Sequence, residues 1–279
     1  MEPRSYSLAP IGTNIALLAY GRTEGSVVVD PSLPVEDASA KFNSMTPGYY
    51  HSFGLLGRQS SLAFGVPYVW GTANALVIGV SRRAYRSGIA DPRIRFAYIL
   101  FGGPALSPQE FKTHHSKTVI GTSLTVSVPL GQYDPNLLVN VGTNRWAFKP
   151  EIGISRTLGA WVLELDLGSW LFLANPNFFH GQYREQAPLP SIQGHLSYTF
   201  RPGLWLALDG TFYGGGRTTV NGVHSNDRQE NSRLGATFSL PLAHAQSLKF
   251  AVNRGATVRV GGNFTTISAT YQFRWLTRR

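Results

Sequence analysis

Apolar and polar residues alternate one by one, with a period of two, along most of this chain. The stretch "ISATYQFRW" puts Ile267, Ala269, Tyr271, Phe273 and Trp275 on one side and Ser268, Thr270, Gln272 and Arg274 on the other. Successive strand side chains point to opposite faces, so this period marks a strand with one greasy and one wet face. "TVIGTSLTVSVPLG" sets Ile120, Leu124, Val126 and Val128 against Gly121, Ser123, Thr125 and Ser127. In "RWAFKPEIGIS", Trp146, Phe148, Ile152 and Ile154 oppose Lys149, Glu151 and Ser155; in "AWVLELDLG", Trp161, Leu163, Leu165 and Leu167 oppose Glu164 and Asp166. "SIQGHLSYTF" and "LWLALDGTF" repeat the pattern, with His195, Ser197 and Asp209 on the polar side.

Strands are predicted near 14–25, 38–53, 57–70, 73–85, 91–101, 117–130, 145–157, 160–173, 188–200, 203–215, 230–241, 246–256 and 264–275. An even count of about 12 follows if 57–85 is one excursion whose second half is loop. Connections then alternate between short turns ("FGLLGRQ", "TLGA", "FRPG", "PLAHAQ") and long loops ("GQYDPNLLVNVGTN", "NPNFFHGQYREQAP" and others). Short turns on one rim and long loops on the other are the habit of a membrane barrel. "ALSPQEFKTHH" breaks the pattern: Ser107, Pro108 and Glu110 supply an N-cap, an N1 proline and a capping-box acid, so a short helix is expected on the short-turn rim.

The fold class expected is therefore all-β, a transmembrane antiparallel barrel forming one domain over 1–279. A soluble sandwich also alternates, but here apolar faces recur on nearly every segment. They end in aromatics at Trp70, Trp146, Trp161 and Trp275, where interfacial girdles belong. The opposite faces are small or charged, which suits a narrow, wet lumen. Composition agrees: charged residues are 14% and glycines number 30, so a turn-rich β protein is favoured over a helical enzyme. Cysteine is absent, which removes disulfides and thiolate metal sites. The net charge of +10 is dispersed, with one tight cluster at Arg82, Arg83 and Arg86. That argues against a nucleic-acid face and for contact with anionic lipid or lipopolysaccharide. The first residues lack a basic segment followed by an apolar one, so export to the outer membrane requires a signal peptide ahead of them.

Two long stretches, "PLGQYDPNLLVNVGTNRWAFKPEIGIS" and "QGHLSYTFRPGLWLALDGTFYGGGRTTVNGV", resemble the meta-pathway phenol-degradation outer-membrane proteins, a transporter-like family. The resemblance runs from Glu2 to Trp275. It implies a barrel in the bacterial outer membrane that passes small hydrophobic or aromatic compounds. By that resemblance members usually end at the aromatic, whereas "LTRR" follows Trp275 here.

Several constellations invite chemistry. His195-x-Ser197 with Asp209 one strand later resembles the His-x-Ser pair of a barrel phospholipase, since nucleophilic catalysis needs serine, base and orienter in mutual reach. Alternation sends these residues into the lumen, away from lipid, so polar lining is preferred over an esterase. His114 and His115 are adjacent and diverge, which is poor metal geometry; "YGGGRTT" lacks the lysine and helix of a phosphate loop. No cofactor is expected. The charged inward positions Arg93, Arg95, Lys149, Glu151, Glu164 and Asp166 are the better candidates for a solute path, together with His195, Ser197 and Asp209. A salt-bridged brace is the competing role. With the "TLGA" turn centred on Leu158 and Gly159, Glu151 is expected opposite Asp166, the pair being neutralised by Lys149, Arg93 and Arg95. The expected partners are outer-membrane lipid and lipopolysaccharide and a small solute, with the chain a monomer; a barrel acting through its loops is the further alternative.

Overall fold

The computed structural model describes residues 2–28 and 35–277. Its strands begin with β1 (Thr13–Val28), β2 (Val35–Leu55), β3 (Arg58–Gly65), β4 (Tyr68–Val77), β5 (Val80–Ile89) and β6 (Arg93–Phe101). After α1 (Pro108–Phe111) come β7 (Thr118–Ser127), β8 (Ala147–Leu158), β9 (Trp161–Phe172), β10 (Asn175–Phe178), β11 (Gln182–Gln186) and β12 (Leu189–Arg201). The remainder are β13 (Leu204–Gly215), β14 (Thr218–Val220), β15 (Val223–His224), β16 (Gln229–Ala243), β17 (Gln246–Thr257) and β18 (Gly261–Leu276).

Twelve of these strands form a closed antiparallel ring, in the order β1, β2, β3, β6, β7, β8, β9, β12, β13, β16, β17 and β18. The last strand pairs back onto the first from Thr13↔Leu276 to Val28↔Gly261, and β1 pairs β2 on its other side. Closure leaves no edge whose N–H and C=O groups would face hydrocarbon unpaired. At the usual strand spacing and tilt, a ring of this size has a backbone radius of roughly 12 Å.

The excursion over 57–85 differs from expectation in kind. Its second half is an ordered hairpin, β4–β5, that turns at Ile78 and Gly79, both at positive φ. β2 is long enough to pair β3 with its C-terminal half and β4 with its N-terminal half. β3–β4 and β5–β6 are thus each a single path interrupted at 66–67 and 90–92. Bonds from Val66 N–H to Pro47 O and from Ala90 N–H to Pro67 O carry the pairing past the interruptions. The loops over 173–188 and 216–228 also order, into a separate four-stranded sheet of β10, β11, β14 and β15.

Short turns at Leu56–Gly57, Gly159–Ala160, Pro202–Gly203 and His244–Ala245 share one rim with the start of β1, the end of β18 and α1. Ser107 caps α1, its Oγ accepting from Glu110 N–H, while the Glu110 carboxylate accepts from Ser107 N–H at 2.8 Å. The outward face is apolar across its middle: Leu163, Leu165 and Leu167 lie beside Leu196 and Ile192, and Leu196 is opposite Leu208. Aromatics gather at its limits. Trp161, Tyr198 and Phe200 stack edge to face with centroids 4.8 and 5.0 Å apart, and Trp275 adjoins Tyr49 and Phe273. The greasy side of "ISATYQFRW" is on this outer surface, Ile267 being 60% exposed. Among the described residues no helix is long and apolar enough to cross a membrane; the strands do so instead.

Two outcomes follow. Folded protein in detergent is expected to run differently on a denaturing gel before and after boiling; identical migration and solubility in plain buffer would remove the barrel. Leu165→Arg, near the middle of the lipid face, is expected to destabilise the barrel by about 2–4 kcal/mol, as measured by denaturant unfolding from lipid vesicles. The same change at Leu158, on the rim, is expected to cost far less.

Candidate functional site

Strand register stacks the inward residues into rows. Nearest the long-loop rim, Arg93, Ser127, Ala147 and Phe172 are successive partners. Below them Arg95 pairs Thr125, which pairs Lys149; then Ala97, Ser123, Glu151 and Gly168 follow. The next row runs Ile99, Gly121, Gly153, Asp166 and Gln193, and a lower one includes Ser155, Glu164, His195 and Asp209.

The expected Glu151–Asp166 facing pair does not occur. Glu151 lies opposite Gly168, and Asp166 opposite Gly153. The turn centres on Gly159 and Ala160, with Leu158 pairing Trp161, which shifts the register by two residues. Gly159 takes a φ of 60°, the left-handed region that a two-residue hairpin of this kind requires. Register therefore keeps the two carboxylates from facing each other directly.

Three of the candidate residues gather in one cluster. Lys149 Nζ donates to Glu151 Oε2 at 2.5 Å, Arg95 Nη2 is 3.9 Å from Glu151 Oε1, and Gln193 donates to Glu151 as well. The arginine reaches across Ser123 and Thr125, whose small side chains leave the space. A second cluster lies lower. His195 Nδ1 is 2.6 Å from Asp209 Oδ1, Thr237 Oγ1 donates to Asp209 Oδ2, and His195 Nε2 is 3.8 Å from Asp166 Oδ2. Ser197 is fully buried beside them, and its hydroxyl has no hydrogen-bond partner among the described residues. The imidazole thus turns its second nitrogen to Asp166 and not to Ser197. Arg93 belongs to neither cluster; its guanidinium stands 5.6 Å above the Trp170 ring at the mouth.

The N-terminal segment, missed by sequence reading, organises all of this. Residues 2–12 leave the rim and cross the short-turn half of the lumen. Ala9 N–H donates to Gln59, and Ser52 Oγ donates to Pro10 O. Tyr6 is 2% exposed and packs with Leu8, Ile99 and Val119. Its hydroxyl lies 3.2 Å from Ser123 Oγ and donates to Glu151 Oε1 at 3.3 Å, while Arg95 covers its ring at 5.1 Å. Burial pushes the Tyr6 phenol up to about 12, so it remains a neutral donor to that carboxylate. On the far wall Arg4 N–H donates to Glu164 at 2.7 Å, its guanidinium donates to Thr199 and lies 4.6 Å over Trp205, and Glu2 pairs with Lys249.

Glycines make room for this crossing. A Cβ on Gly121 would sit 2.3 Å from Tyr6 Cδ1, and one on Gly153 would sit 2.3 Å from Tyr6 Cε2 and 2.1 Å from Asp166 Oδ1. Two inward glycines facing each other on adjacent strands were the available sign that something else fills the lumen there. Beside the plug remains a void of about 10 Å³, while a cavity of about 360 Å³ opens above it toward the long loops. Among the described residues no group of His, Asp or Glu is arranged to hold a metal.

Because the chain has no cysteine, a single introduced thiol reports on the plug. Ser123→Cys, buried beneath Tyr6, is expected to react slowly with a water-soluble thiol reagent. Adding Gly153→Val should displace the segment and speed labelling by about tenfold or more; an unchanged rate would mean that the plug yields without leaving.

A family model described as "Putative MetA-pathway of phenol degradation" matches residues 19–275. No curated protein matches the chain. Among solved structures it is similar to the COG4313 outer membrane channel from Pseudomonas putida F1, with 19% identity, a TM-score of 0.82, and 99% of this chain and 100% of that one covered. It is also similar to the transport unit of the autotransporter AIDA-I from Escherichia coli (9%, TM-score 0.56, 100% and 93% covered). The β domain of the Bordetella autotransporter BrkA is a third (13%, TM-score 0.54, 95% and 100% covered). At such identities the likeness speaks for the fold, a barrel of the bacterial outer membrane. With the family match spanning nearly all of the ring, the chain belongs to the family of the MetA-pathway of phenol degradation.

Proposed function

We propose that the protein is an outer-membrane channel for small aromatic solutes, with the N-terminal segment as its constriction. The observation that carries this reading is the cavity at the long-loop mouth. It is lined by Trp170, Phe172 and Leu189 at the roomier end of the lumen, above the plug. Apolar rings facing inward serve no lipid contact, so they need an apolar guest. The family to which the chain belongs, and the word channel in the name of the Pseudomonas putida structure, support the same assignment.

A ring of this radius is too narrow for a general porin once its inward side chains and one crossing segment are in place. Passage then depends on the plug and on the Arg95–Lys149–Glu151 cluster beside it. The same cluster also holds Tyr6, so it braces the plug and lines the path at once. The hydrolase alternative is not adopted. Its histidine is engaged by Asp209 and faces Asp166, and its serine is sealed from lipid and solvent alike.

Phenol uptake into proteoliposomes is the direct test. Uptake above that of empty vesicles, raised further by Tyr6→Ala, is the expected result; no uptake by either protein would remove the channel. Glu151→Gln with Asp166→Asn is expected to shift the cation/anion preference in planar bilayers. A change confined to thermal stability would make the cluster a brace alone.

A further inference from the structure

The same mouth cavity carries charge as well as rings. Arg93 and Arg145 both line it, and no aspartate or glutamate does. Neither arginine has a carboxylate within ion-pair distance among the described residues. Asp91 is nearby but already engaged: Oδ1 accepts from Gly131 N–H, and Oδ2 accepts from Thr143 N–H and Oγ1 at 2.9 and 2.6 Å. Arg145 gives one nitrogen to Gln186, while its Nη1 is buried with no partner. Its guanidinium lies 4.5 Å over Phe172, as that of Arg93 lies over Trp170.

Each cation thus lies over a ring and lines the cavity wall without a carboxylate partner, so guanidinium donors remain unmet there. A neutral hydrocarbon would satisfy the rings and leave those donors unmet. An inorganic anion would meet the donors and leave Trp170, Phe172 and Leu189 against water. A ligand with one ring and one carboxylate satisfies both, and about 360 Å³ falls at the small end of the ~300–1,000 Å³ of small-molecule sites.

We propose that this vestibule is a selectivity site for single-ring aromatic carboxylates, the carboxylate accepting from Arg93 and Arg145 and the ring lying along Trp170 and Phe172. The physiological meaning rests on the channel reading above; the site itself does not. Binding favours the anion because charge-assisted bonds to guanidinium exceed those to a neutral amide. The long-loop mouth is also where a solute from outside arrives first.

Calorimetric titration of the full chain in detergent with sodium benzoate and with benzamide tests the site. Benzoate is expected to bind at least about tenfold more tightly than benzamide. Arg145→Gln or Arg93→Gln should reduce benzoate to the level of benzamide, and Trp170→Leu should weaken both ligands. The boiling-dependent gel shift confirms that each variant is folded. Equal affinity for the two ligands, no binding of either, or indifference to both arginine substitutions in folded protein overturns the proposal. Uptake of the two compounds into proteoliposomes separates the readings. Benzoate that binds as expected while neither compound crosses upholds the site and removes the channel. Uptake of both without preference, unchanged by the arginine substitutions, keeps the channel and removes the site.

Discussion

In hydrocarbon every backbone N–H and C=O must find its partner within the protein, and the rest of this structure depends on that demand. The β1–β18 pairing meets it, running the full length of both strands without a register shift. Where the ladder is interrupted, at Val66–Pro67 and at 90–92, backbone bonds cross the gap from neighbouring residues. Closure then settles which face is which. A ring has one inside and one outside, and each strand has to turn its leucines and aromatics outward together.

Closure also sets the radius, and the radius makes the interior a packing problem. A cylinder of this size is wider than its own small inward side chains fill, so water or a crossing segment must occupy the rest. The N-terminal segment solves this for the short-turn half. It brings Tyr6 to two glycines, a backbone N–H to Glu164, and a guanidinium to Thr199 and Trp205. The bonds to Glu164 and Thr199 satisfy polar groups of the wall, while the ring contacts fill space. The long-loop half is left roomier, and there the lining changes from acids and hydroxyls to arginines and rings.

The division of charge follows the same geometry. Acids and the histidine concentrate in the lower rows, where the plug supplies Arg4 and the wall supplies Arg95 and Lys149. At the mouth Arg93 and Arg145 have no ion-paired acid, the nearby Asp91 being engaged by Gly131 and Thr143. A solute approaching from the long loops therefore meets positive charge and aromatic surface before it meets the plug.

Period-two alternation was enough, from sequence, for an all-β ring of about 12 strands, the outward leucines, the girdle tryptophans and the capped helix at Ser107. Each of these depends on side-chain polarity along a single strand or on local backbone preference. The inward positions of Arg95, Lys149, Glu151 and Asp166 were legible for the same reason. So was the approach of Lys149 and Arg95 to Glu151; the strand register was not. Which residue faces which depends on where a two-residue turn centres, and moving from Leu158–Gly159 to Gly159–Ala160 shifts every pair across β8 and β9. The plug was hidden because residues 2–12 have no periodicity, and their contacts lie as far as 247 positions along the chain. The mouth cavity was hidden because Arg93, Arg145, Trp170 and Phe172 come from two strands and one loop, and only the register of β6 through β9 brings them to one level.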